Sequence, residues 1–154
     1  MSVTRTSPAR PDRESGVPRL SQVDQLSLNI LSDPASLADA RKAVEGFCRS
    51  HGLAQAGVDA VGLCVNEALA NVIRHAYAGA TDRPIEVRAA DTGDAVRVQI
   101  RDWGTGRVPP PAPAAKDPLT PGGLGLVCMK RMLDDATYEP QPDGMLLTLE
   151  KRKC

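Results

Sequence analysis

Between Gln25 and Leu31 the apolar residues Leu26, Leu28 and Ile30 alternate with polar neighbours, the period of a strand with one buried face. The period then lengthens. Ser32 or Asp33, short oxygen side chains that cap free amides, precede Pro34; Leu37, Ala40, Val44 and Phe47 follow at helical spacing, and Gly52 supplies a stop. A second helix is predicted over Val58–Tyr77, with Val58, Val61, Val65, Ala68, Leu69, Val72, Ile73 and Ala76 as its apolar stripe, ending near Ala78-Gly79. Strands Ile85–Ala89 and Ala95–Arg101 flank Asp91-Thr92-Gly93-Asp94, a composition that favours a hairpin. Val108 to Pro121, crowded with proline and alanine, reads as irregular. A helix over Leu124–Leu133 and a strand over Gly144–Lys151, entered through Asp143-Gly144, close the chain. Residues 1–23 are rich in Arg, Ser and Pro and poor in large apolar groups, which predicts a mobile N-terminal tail ahead of one domain over 24–154.

Strand, helix, helix, hairpin, helix, strand is not the alternation of a doubly wound parallel sheet, so the pattern predicts an α+β two-layer sandwich. A length of 154 residues suits one domain with a real core. The 19 basic and 19 acidic side chains balance, and no overall field draws the chain to nucleic acid or an anionic membrane. Cys48, Cys64, Cys128 and Cys154 lack paired metal spacing, and the first three sit in helical apolar patterns, as expected of a reduced, cytoplasmic chain. No apolar run approaches the roughly eighteen residues of a membrane span, and the basic start lacks the apolar core of a signal peptide.

The polar positions of the second helix change this picture. Glu67, Asn71 and His75 are four apart, so on an α-helix they form a stripe of their own, presenting a carboxylate and a carboxamide to one point. Such a pair can serve a metal ion and a proton. Asp102, Gly104 and Gly106 follow directly on a strand, where glycine permits close approach of a flat ligand. Gly122, Gly123, Leu124, Gly125 and Leu126 precede a helix whose first amides have no internal partners, a ready anion site. The latter is not a P-loop, lacking its Lys-Ser/Thr ending, nor a Rossmann fingerprint, since no strand leads into it.

The three elements in order, N-E-x-x-x-N from Asn66 to Asn71, D-x-G-x-G from Asp102 and G-G-L-G-L from Gly122, resemble the nucleotide-binding boxes of the GHKL ATPase superfamily. Within it, the chain from about Leu26 to Arg152 looks most like the bacterial anti-sigma factor serine/threonine kinases. The resemblance implies a Bergerat-type fold, a mixed, mostly antiparallel sheet with helices on one face, that binds ATP and Mg²⁺. It implies that Asp102 accepts a hydrogen bond from the adenine amino group, that the glycines of both loops line the nucleotide, and that Val108 to Pro121 forms its lid. Asn71 would ligate Mg²⁺ and Glu67 would act as general base or position the attacking hydroxyl. His75 would touch the nucleotide or orient its neighbours, and Thr148, a looser match, would place a hydroxyl near the adenine.

Partners implied by the resemblance are a small phosphorylatable anti-sigma-factor antagonist and a sigma factor. Alternatives are an ATP-binding module without useful transfer and a kinase that switches a different protein. A histidine-kinase catalytic domain is weakened by the lack of a phospho-accepting helix pair. Asn66 stands where many anti-sigma kinases carry serine, and the lid is unusually rich in proline. The residues leave open whether the chain is a homodimer.

Overall fold

The computed structural model describes residues 25–105 and 126–154. The expectations for the tail over 1–23, for Gly106, for the lid, and for Gly122, Gly123, Leu124 and Gly125 lie outside those residues, as does the side chain of Leu126. Asp33 caps the first helix as predicted, its Oδ1 accepting from the Ser36 amide at 2.9 Å, with Pro34 in the first turn. The elements run β1 (Gln25–Leu31), α1 (Pro34–Ser50), α2 (Gln55–Asn71), a π-helical turn (Val72–Ala76) continuing α2, β2 (Pro84–Asp91), β3 (Ala95–Asp102), α3 (Leu126–Met132), β4 (Asp135–Gln141) and β5 (Gly144–Arg152).

The strands form one sheet in the order β1-β2-β3-β5-β4. Every neighbouring pair is antiparallel, with Val87 opposite Ile100 and Ile100 opposite Leu147 in register. The α+β class therefore holds, and the sheet, expected to be mostly antiparallel, is antiparallel throughout the described strands. Two tight hairpins, β2–β3 and β4–β5, impose that direction on their own pairs, and β5 returns beside β3 running against it.

Strand β4 was not legible as a strand. Asp135–Gln141 offers Ala136 and Tyr138 as its inward positions and carries Pro140, which weakens a strand pattern. The structure reconciles these, because β4 is an edge strand, where a missing amide is tolerated.

Helices α1 and α2 cover one face of the sheet. Val44, Val58, Val65 and Leu69 belong to one buried cluster with Val87, Val98, Ile100, Leu147 and Leu149 from the strands. The other face carries Arg88, Arg97, Gln99, Arg101, Thr148 and Glu150. Counted with its π-turn, the second helix spans 22 residues, Gln55–Ala76, and is long and apolar enough by composition to cross a membrane. It passes by average composition only, because Asp59, Glu67 and Arg74 interrupt the apolar run. In the fold this helix is the core helix, its most apolar window 56% buried.

Candidate functional site

Glu67 and Asn71 sit on the last turns of α2. Asn71 is only 2% exposed, and its Oδ1 accepts a 2.7 Å hydrogen bond from Nη2 of Arg74. The same nitrogen lies 3.3 Å from Glu67 Oε2, so one guanidinium bridges the carboxamide and the carboxylate. The predicted pair is thus brought together, around a cation. Burial raises the Glu67 carboxyl above its ordinary value, against the opposing pull of Arg74.

His75 fares differently. After Asn71 the backbone widens into the π-turn, which interrupts the α-helical register that would have stacked His75 on the pair. His75 is half-buried and makes no side-chain hydrogen bond among the described residues. Arg74, three residues beyond Asn71 and seven beyond Glu67, takes the third place on the stripe. Its spacing was readable in the sequence.

Asp102 ends β3 on the helix-covered face, in phase with Val98 and Ile100, and is 2% exposed. Its Oδ1 accepts from the Gly104 amide at 2.9 Å. Burial raises its carboxyl above the ordinary value, while the Gly104 amide, Arg101 and the Met145 amide pull it down. The turn beyond it docks on the end of the second helix: the Thr105 amide donates to the Ala76 carbonyl at 3.1 Å. A Cβ on Gly104 would lie 2.3 Å from that same oxygen, so this position needs glycine for close approach. Tyr77 completes the joint. Its hydroxyl donates to the Pro84 carbonyl and accepts from the Trp103 amide at 2.9 Å, linking helix end, β2 and the turn.

Tyr138 on β4 faces the helices and senses both acidic groups; burial first, then the charges of Glu67 and Asp102, push its hydroxyl up to about 12. It enters the neighbourhood of the site through a strand that the sequence pattern concealed. Tyr77, too, went unrecognised, since an aromatic at a helix end signals packing before it signals a joint. Thr148 is not brought to the site. Leu147 and Leu149 point into the core, so the alternation of β5 sends Thr148 to the open face, where its Oγ1 accepts from Gln99 Nε2 at 3.2 Å. Leu126 opens α3, and with Gly106 and Gly122–Gly125 outside the described residues the phosphate side rests on sequence.

The donor set suits a hard cation: a buried amide oxygen and a carboxylate already share the positive charge of Arg74, and Mg²⁺ prefers such oxygens while keeping waters and phosphate ligands.

An antiparallel sheet with helices on one face, a carboxylate and carboxamide on the core helix and a buried aspartate before a glycine turn make up a two-layer α+β domain. Residues 30–151 match the profile of the histidine kinase-like ATPase domain, and the chain belongs to that family. It is similar to the serine-protein kinase RsbW of Oceanobacillus iheyensis, 24% identical over 139 residues that cover 83% of this chain and 87% of the relative. The RsbW of Bacillus velezensis is 25% identical over 140 residues, covering 84% of this chain and 86% of the relative. In fold it is similar to the crystal structure of the RsbU and RsbW domains of a Mycobacterium tuberculosis protein, with a TM-score of 0.63 and 20% identity. That match covers 83% of this chain and 32% of the other.

Proposed function

We propose that the chain is an ATP-dependent serine/threonine kinase that phosphorylates a small anti-sigma-factor antagonist and, in its other state, holds a sigma factor. The observation that carries this reading is the pairing of Glu67 and Asn71 around one cation, at the end of the helix on which the Asp102 turn docks. The serine-protein kinases it is similar to support the transfer to a hydroxyl.

Asp102 would accept a hydrogen bond from the adenine amino group, and guanine, whose carbonyl would face the same carboxylate, is disfavoured. Asn71 would hold Mg²⁺, which when bound neutralises charge on the phosphate oxygens. The amides and glycines of Gly106 and Gly122–Gly125, with Leu124 and Leu126, would cradle those phosphates, and the segment 108–121 would cover them. Glu67, its proton affinity raised by burial, takes the proton of the antagonist's hydroxyl as that oxygen bonds to the γ-phosphorus. The bond from phosphorus to the β,γ-bridging oxygen breaks, and ADP leaves.

The test is transfer of radiolabelled phosphate from ATP to candidate antagonists, beside calorimetric titration with ADP. Transfer to a serine or threonine is expected. A chain that binds ADP yet labels no antagonist is a binding module instead, and one that binds no nucleotide overturns the site.

A further inference from the structure

The Arg74 guanidinium sits on the amide oxygen that would ligate the metal and reaches the carboxylate beside it. Its Nη2 is 2.7 Å from Asn71 Oδ1 and 3.3 Å from Glu67 Oε2, and the pair belongs to adjoining turns of one helix. Asn71 is nearly inaccessible and Glu67 is 12% exposed at its side chain, whereas Arg74 is 44% exposed. The two acceptors are therefore fixed and the cation is the movable partner. A long arginine side chain in this setting can leave for solvent without unpacking the helix.

We propose that Arg74 is a positioning residue that stands in for the metal: it holds the Asn71 amide oxygen outward and balances Glu67 until a metal-bearing nucleotide displaces it. This rests on the reading of the site as one for Mg²⁺ and adenine nucleotide. A guanidinium and a metal ion on the same amide oxygen repel each other at this range, so metal entry is eased when the 2.7 Å contact breaks. Arg74 then weakens metal binding by the strength of its own contacts, and in the chain without nucleotide it supplies the charge that balances Glu67.

The experiment measures how far Mg²⁺ tightens ADP binding, by calorimetry with and without the metal, in the parent and in Arg74→Met. Methionine keeps length and helix propensity while removing the charge. Removing the competitor should raise the Mg²⁺-dependent gain in ADP affinity by about 3- to 10-fold, the scale of a charge-assisted hydrogen bond at a partly exposed site. Metal-free ADP affinity should change far less. An unchanged gain overturns the proposal, and a smaller gain makes Arg74 a helper of the metal, which overturns it equally. These outcomes leave the nucleotide site standing. A parent that binds no ADP sinks the nucleotide reading itself, and this proposal with it.

Discussion

Glu67 and Asp102 are both carboxylates raised by burial, yet substituting them should produce opposite kinds of damage. Glu67→Ala is expected to keep most ADP affinity while phosphate transfer falls about 10²-fold, the scale of lost acid–base assistance. Because the raised group must be deprotonated to accept a proton, parental transfer should decline on acidification at a pH above the ordinary glutamate range. A pH–rate profile of single-turnover transfer checks both points, and a profile that Glu67→Ala leaves unaltered would remove the base role. For Asp102 the native value lies above the unfolded one, so the folded chain binds the extra proton and loses stability as pH rises through that window. Asp102→Asn abolishes that cost while its oxygen can still accept from Gly104. The excess in melting temperature of Asp102→Asn over the parent should grow as pH rises through the window and level off above it, while ATP affinity is lost. A difference that is flat with pH would count against a buried, ionised Asp102.

Among the elements, the second helix and β3 are joined backbone against backbone at Gly104. Gly104→Ala would press a methyl group onto the Ala76 carbonyl, which is backbone and cannot step aside. A loss of about 1–3 kcal/mol is expected, as for overpacking elsewhere, and urea unfolding would reveal it. Parental stability in that variant would mean that the turn is free to move off the helix. Part of this joint was legible in advance. The alternation of Val96, Val98 and Ile100, carried one step further, puts Asp102 on the covered face, but Gly104 read as room for a flat ligand and not for the helix end. Other features were not. The π-turn at Val72–Ala76 leaves no mark in an apolar stripe that tolerates either helix, so His75 was aligned with Glu67 and Asn71 when Arg74 holds that place. Thr148 was misplaced although Leu147 and Leu149 already fixed its side, because the match to a motif outweighed the alternation. Strand β4 stayed hidden because an edge strand requires only one apolar face and can carry proline.

For the molecule as a whole, binding and folding are linked, since the site is assembled from a helix, a strand and a turn far apart in sequence. A ligand that binds only the assembled form stabilises it by about 2.7 kcal/mol at a hundredfold excess over its Kd. ATP with Mg²⁺ should therefore raise the melting temperature by several degrees, whereas GTP at the same concentration should not. Equal shifts for the two nucleotides would remove Asp102 from adenine recognition.

The hydroxyl of Tyr77 carries one more consequence, an optical one. Trp103 is the sole tryptophan; its amide is tied to that hydroxyl, and its half-exposed ring lies 4.6 Å from the guanidinium carbon of Arg101. The one strong emitter in the chain is thus fastened to the end of the helix that bears Glu67 and Asn71, one residue from Asp102. A shift of the helix against the strand is passed to the Trp103 backbone by that bond and to the same turn by the Thr105–Ala76 contact. The indole emission can then follow occupation of the site in real time in the native chain, with no label attached.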